Sequence, residues 1–278
     1  MVFLLINADH EFSDNSWKDG SADMPEIFKR RKLAAMQAYF EYIPIRVFPE
    51  EMFKPIYRTF QFGNLFELIM LDTRSMRDQT DITNPIRVGN PNRTILGTEQ
   101  EAWLTNLPVK EVEWTLIGNQ IVFGVFAVPI HKWHLPILSD AWDAYPASRN
   151  FFLNFLKNRR QKSGATPIIL SGDIHISMHN QIDGINEFVT PAISSPNIEG
   201  AVWGRVVQAL FNGVAGYGDF KWANIREKGF VILDIYSNYI ETKWILMDDI
   251  KKDKVAYSIG KSMITQNDKI KNKKTRTK

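Results

Sequence analysis

The sequence contains no cysteine, which excludes disulfides, thiolate-ligated zinc and a cysteine nucleophile. Any metal site must therefore be built from oxygen and nitrogen donors. Long apolar runs are also missing: nothing reaches the roughly twenty residues that a membrane-spanning helix needs. The apolar stretch at residues 2–6 lacks the basic flank and small-residue cleavage site of an export signal. There is no internal repeat, which argues against a solenoid or propeller. Acid is absent from the end of the chain, where residues 271–278 carry five Lys or Arg side chains. The high pI is thus a property of the tail, which reads as a frayed, solvated end, with contact to nucleic acid or an anionic surface as the competing reading. What is present is ample apolar material: 278 residues, 44% hydrophobic and 12% aromatic, enough for a large core and one main domain. A soluble globular protein is expected.

Two apolar runs end in acidic-histidine clusters. Val2-Phe3-Leu4-Leu5-Ile6 leads into Asn7-Ala8-Asp9-His10-Glu11, and Pro167-Ile168-Ile169-Leu170 leads into Ser171-Gly172-Asp173-Ile174-His175. Both runs predict buried strands, and in open α/β sheets ligands bind beyond the carboxyl ends of the strands. The two clusters are therefore expected at one edge of one sheet. Carboxylate with imidazole is a ligand set for hard or borderline metal ions in hydrolytic sites. Asp173 and His175 are two apart, so on a continuing strand both side chains project to one face.

Other segments extend this pattern. Residues 25–39 predict a helix that stops before Pro44. Residues 58–62 and 65–71 flank Gly63-Asn64 and predict a hairpin with a deeply buried second strand. Residues 80–98 predict a surface loop, and Thr98 with Glu101 a capping box. Further strands are expected at 114–120, 166–170 and 187–191, a helix at 148–162, and a hairpin from 229–236 and 239–245. Hairpins mixed with crossover helices give an α/β fold with mixed sheets.

Asn119, after the 114–118 run, either offers a carbonyl oxygen to a metal or closes an Asx turn. Arg74 and Arg77 either clamp a phosphate bidentately or form structural ion pairs with Asp72 or Asp78. His131 and His134 would share one face if helical, although Pro129 and Pro136 bracket them. His179 is a further candidate for the cleft. Trp17, Trp142 and Tyr145 read as pocket wall or as packing. Arg159-Arg160, beside Lys157 and Lys162, reads as a solvated helix face.

Seven motifs, in order, carry a family resemblance. They are Asp9-His10-Glu11-Phe12 with Asn15 and Trp17; Ala38-Tyr39-Phe40-Glu41-Tyr42-Ile43-Pro44-Ile45-Arg46; Leu71-Asp72-Thr73-Arg74 with Arg77-Asp78-Gln79; Ile117-Gly118-Asn119-Gln120; Asp140-Ala141-Trp142-Asp143-Ala144-Tyr145-Pro146; Leu170-Ser171-Gly172-Asp173-Ile174-His175; and Glu187-Phe188-Val189-Thr190-Pro191 with Ile193-Ser194-Ser195-Pro196-Asn197. Together they resemble the alkaline phosphatase D (PhoD-like) family of calcineurin-like metallophosphatases. The resemblance implies a sandwich of two mixed β-sheets flanked by helices, spanning residues 1–250, with 251–278 as an extension ending in the Lys-rich tail. It implies hydrolysis of phosphate mono- or diesters, nucleic acid entering only as a substrate, with Ca²⁺ and Fe³⁺ as cofactors. By the same resemblance Asp9, Asp173 and His175 are metal ligands, with Asn119 the further candidate from its place after a strand, and His10 is the general acid or orients the leaving group. Asn15, Arg74 and Arg77 would contact substrate. The family is typically secreted or periplasmic. Its members also carry an earlier strand with a metal-bridging aspartate, so this chain is expected to be the C-terminal part of such an enzyme. A complementing N-terminal fragment is then the expected partner, and a weak remnant or half of a split enzyme the alternative expectation.

Overall fold

The computed structural model describes residues 13–21, 23, 25–45, 56–79, 90–125, 127–130, 133–136, 140–197, 208–209, 213 and 218–269. Asp9 and His10 lie outside them, as do most of the 80–98 loop and the tail. The first expected hairpin forms from β1 (Arg58–Phe62) and β2 (Phe66–Met70), antiparallel around Gly63 in the left-handed geometry that glycine adopts freely. The chain continues through β3 (Trp114–Gly118), a small ribbon of β4 (Ala127–Ile130) and β5 (Trp133–Pro136), then β6 (Thr166–Ser171), β7 (Ser177–Ile182), β8 (Ile185–Val189) and β9 (Phe220–Asn224). It ends in β10 (Lys228–Ile235), β11 (Tyr239–Met247) and β12 (Tyr257–Gln266).

Seven strands make one mixed sheet in the order β1-β2-β3-β6-β8-β7-β9. Its centre, β2-β3-β6-β8, is parallel. Strands buried on both faces need apolar side chains on both, which is why these segments read as continuous hydrophobic runs. The two-residue period then sorts the side chains. Ile69, Leu71, Ile117 and Ile169 face the helices α2 (Gly97–Asn106) and α3 (Pro146–Ser163), meeting Leu104, Phe152 and Leu156. Leu68, Met70, Leu116, Ile168 and Phe188 face the other way, onto Ile240 and Trp244 of the second sheet. That sheet, β10-β11-β12, is antiparallel throughout. Two indoles fasten the sheets: Trp114 Nε1 donates to the carbonyl of Tyr236 (2.7 Å) and Trp244 Nε1 to that of Val189 (3.0 Å).

Three local expectations shift. Strand β12 pairs along β11 and Asn267 Nδ2 donates to the carbonyls of Glu113 and Ser237, so the fold runs at least to Asn267 and the boundary expected at 250 is not a domain edge. Thr98 lies inside α2, whose N-cap position is Leu96; it is Thr94, two residues earlier, whose Oγ1 accepts from the N–H groups of Leu96 and Gly97 and donates to Glu101 Oε1 at 2.6 Å. Helix α1 (Phe28–Tyr42) begins three residues after Pro25. Helix α3 does begin at a proline and stops at Gly164 in the left-handed cap conformation.

Candidate active site at the strand ends

Because β2, β3, β6 and β8 are parallel, the segments that follow them emerge at one edge. After β2 come Asp72-Thr73-Arg74, after β3 Asn119-Gln120, after β6 Gly172-Asp173-Ile174-His175, after β8 Thr190. Main-chain bonds stitch the row together: Asn119 N–H to Leu170 O (2.8 Å), Gly172 N–H to Gln120 O (3.3 Å) and Thr190 N–H to Ser171 O (2.9 Å). Asp72 closes its own turn, accepting from the N–H groups of Arg74 and Ser75, while Gln100 of α2 bonds both the N–H and the carbonyl of Asp72. Gln120 Oε1 accepts from the hydroxyl and the N–H of Thr73.

The expected continuation of β6 through Asp173 and His175 does not occur. The strand stops at Ser171, Ile174 N–H bonds back to Gly172 O, and Asp173 and His175 take φ of 76° and 59°. Two non-glycine residues in left-handed backbone within three positions is a costly arrangement, of the kind that clusters at binding and catalytic sites. The turn brings Asp173 to Arg74, and His175 Nδ1 to the carbonyl of Pro196 at 2.7 Å. That contact orients the imidazole.

Arg74 and Arg77 are 1% and 0% exposed, so neither presents a fork to solvent for a phosphate, as the clamp reading required. They form ion pairs, yet not with the neighbours in sequence. Arg74 spans Asp140 (3.0 Å) and Asp173 (2.6 Å); Arg77 Nη1 donates to the carbonyl of Asp140 (2.9 Å) and its Nε to that of Ser16 (2.7 Å). The turn at 13–16, which holds Asn15 at φ 49°, is thereby fastened beside the strand ends. Asp140 is a member of this network that sequence reasoning did not single out, although it opens one of the quoted motifs.

Asn119 is 4% exposed. Its Nδ2 donates to Ser171 Oγ (3.0 Å) and to the carbonyl of Ile121, and its Oδ1 accepts from Trp142 Nε1 at 3.1 Å. Behind it lies Glu187, fully buried on β8 and also missed. Its carboxylate takes four donors: Ser171 Oγ, Asn180 Nδ2 and the N–H groups of Phe123 and Gly124. Burial pushes this carboxyl up, and the four donors pull the other way. The signal for Glu187 was available: one carboxylate inside a buried strand requires dedicated partners.

Other candidates fall elsewhere. His179 stands in the inter-sheet core against Phe188 and Trp244, its pKa lowered by burial, and not in the cleft. His134 lies on a strand, which removes the helical spacing proposed for it with His131, itself outside the described residues. Trp142 and Tyr145 are core, with the Tyr145 hydroxyl donating to Asp78 O at 2.6 Å. Arg159 is no solvated charge: it is 3% exposed and forms a bidentate pair with Glu67.

Residues 2–244 match the profile of PhoD-like phosphatases. The chain belongs to that family. Within it, alkaline phosphatase D of Bacillus subtilis (strain 168) is 38% identical over 165 residues, a region covering 55% of this chain and 27% of that protein. A solved structure described as "Structure of PhoD" superposes with a TM-score of 0.78 at 27% identity, covering 95% of this chain and 52% of the other. The PhoD-like chain thus spans about half of that structure and less of the curated relative.

PhoD-like phosphatases are metal-dependent in general. The donors at these strand ends have the right character for a hard or borderline ion: an amide carbonyl (Asn119), a carboxylate (Asp173) and an imidazole (His175), with no sulfur. Among the described residues no three His, Asp or Glu side chains cluster as a ligand set. Asp173 is moreover paired with Arg74, and Asp9, the further carboxylate expected from the sequence, lies outside the described residues. No described helix is long and apolar enough to cross a membrane.

Proposed function

We propose that this chain is a phosphoesterase of the alkaline phosphatase D type, hydrolysing phosphate mono- or diesters. The observation that carries the reading is the row of Asn119, Asp173 and His175 on adjoining parallel strand ends, in a chain whose family is phosphatase. Asp9, Asn119, Asp173 and His175 would hold the metals, for which Ca²⁺ and Fe³⁺ are the first choices. Metal held there would supply Lewis acidity toward the phosphoryl oxygens and lower the pKa of the attacking water.

The chain's own groups do the rest. His10 donates a proton to the departing alkoxide, or stabilises it by hydrogen bonding. His175, pinned through Nδ1 to Pro196, keeps Nε2 as its donor atom. Asn15 is the substrate contact from the N-terminal turn. Arg74 and Arg77 act at one remove, holding Asp173, Asp140 and the Ser16 turn in place rather than gripping phosphate. Buried at the strand ends, Arg74 balances carboxylates that would otherwise repel each other.

The test is hydrolysis of a chromogenic phosphate monoester and a diester by the purified chain, titrated with Ca²⁺, Fe³⁺, Mn²⁺ and Zn²⁺. Metal-dependent turnover that disappears in Asp173→Ala/His175→Ala supports the reading. Turnover that is absent with every metal, or that survives the double substitution, overturns it.

A further inference from the structure

The inference concerns Glu187 and rests on the proposed metal role of Asn119. An ionised carboxylate only accepts hydrogen bonds, and among the described residues Glu187 meets four groups that can donate to it. Ser171 must therefore spend its single O–H on Glu187 Oε1, at 2.5 Å. Its oxygen is then left as an acceptor toward Asn119, 3.0 Å away, so the Asn119 amide must turn its NH₂ inward. The carbonyl of Ile121 makes the same demand of that NH₂. The Asn119 carbonyl oxygen is thereby turned away from Ser171, where Trp142 Nε1 reaches one of its two lone pairs.

We infer that Glu187 is a positioning residue: through Ser171 it secures one of the three contacts that hold the Asn119 amide with its NH₂ inward, and so steadies the carbonyl oxygen that Asn119 would offer to a metal. Gly124 permits the arrangement, since a Cβ there would stand 2.5 Å from Asn180 Nδ2, in the space needed to bring its N–H to the carboxylate. An uncharged side chain at 187 releases the constraint. In Glu187→Gln the new NH₂ can donate to Ser171, whose hydroxyl then turns its proton toward the Asn119 NH₂, donor against donor, and the amide loses one of its three anchors, keeping only Ile121 and Trp142.

The experiment measures Mn²⁺ binding to the full chain by calorimetry and by electron paramagnetic resonance, with circular dichroism as the control for folding. Losing a partner that orients a metal ligand costs about 10–100-fold in affinity, and that loss is expected in both Glu187→Gln and Ser171→Ala. Ser171→Thr, which keeps a hydroxyl, restores binding. Asn180→Ala removes a donor from the other carboxylate oxygen; it lowers stability but keeps wild-type Mn²⁺ affinity. Should Glu187→Gln fail to fold, Ser171→Ala decides. Wild-type affinity in folded Ser171→Ala, or an equal loss in Asn180→Ala, overturns the inference while leaving the proposed function intact. A wild-type chain with neither Mn²⁺ binding nor metal-dependent turnover overturns both.

Discussion

Replacing Arg159 by methionine is expected to be among the most destabilising single changes where a helix packs on the large sheet. Arg159 of α3 meets Glu67 of β2 through two bonds, Nε to Oε1 at 2.6 Å and Nη2 to Oε2 at 2.5 Å, with side chains 3% and 4% exposed. It also donates to the carbonyls of Leu107 (3.3 Å) and Pro108 (2.7 Å). Methionine keeps much of the volume but leaves a buried carboxylate whose one remaining described donor is Thr115 Oγ1, at 2.9 Å. Breaking a buried pair from one side costs about 3–5 kcal/mol, a large share of the roughly 5–15 kcal/mol that holds an ordinary domain. Removing both partners, as in Glu67→Leu/Arg159→Met, spares the uncompensated charge. The double variant should therefore be more stable than Arg159→Met alone, by about 2 kcal/mol or more, even though two carbonyls lose their donor. Urea unfolding followed by tryptophan fluorescence measures all four corners of the cycle. A loss below about 1 kcal/mol in Arg159→Met, or additive single effects, would refute the view that this charge pair is a closed, water-free unit.

Two further outcomes follow from described contacts. The pKa of His179 is lowered by its burial between the sheets, so the unfolded chain binds the proton more tightly than the folded one. The contribution is complete above the unfolded value near 6.5 and is lost as pH falls toward the depressed folded value; His179→Gln should flatten that part of a stability-against-pH curve, and an unchanged slope below pH 6.5 would count against it. Gly229 has φ of 159° and an added Cβ would sit 1.9 Å from the carbonyl oxygen of Ile245, so Gly229→Ala forces β10 and β11 apart. Its expected loss is about 1–3 kcal/mol, read as a lower urea midpoint, and a wild-type midpoint would show that the strands give way freely.

The parallel core was legible because both faces of β2, β3 and β6 are buried, which leaves their apolar runs unbroken. Strands β7 and β12 were not. Ser177-Met178-His179-Asn180-Gln181-Ile182 is rich in polar residues yet largely buried, with His179 Nε2 and Gln181 bonded to Asn186, and Asn180 to Glu187, on the neighbouring strand, which no local pattern announces. Strand β12 is mostly exposed, with Gly260 in its middle, so burial imposed little alternation on it. At the site, the residue types were readable but the backbone was not. Asp173 and His175 belong to the residue types that most often enter left-handed backbone, yet entry depends on Arg74 and Pro196, distant in sequence. One of the two readings of the arginines paired them with the neighbouring carboxylates Asp72 or Asp78; the partner they share in the structure, Asp140, is 63 to 66 positions away. Glu67 and Glu187, each a lone carboxylate in an apolar strand, carried the clearest unused signal.

Arg77 reaches the N-terminal turn through a main-chain oxygen, that of Ser16, and its own carbonyl receives Lys18 N–H. A carbonyl is the same on every amino acid. The attachment is therefore blind to the identity of residue 16 so long as a small side chain fits the buried space, while residue 77 admits no substitute for a long planar cation. Sequence drift at the two ends of this link should be lopsided, with one anchor fixed and the other interchangeable, so an ensemble of functional variants selected in the laboratory would retain Arg77 and sample glycine, alanine and serine at position 16.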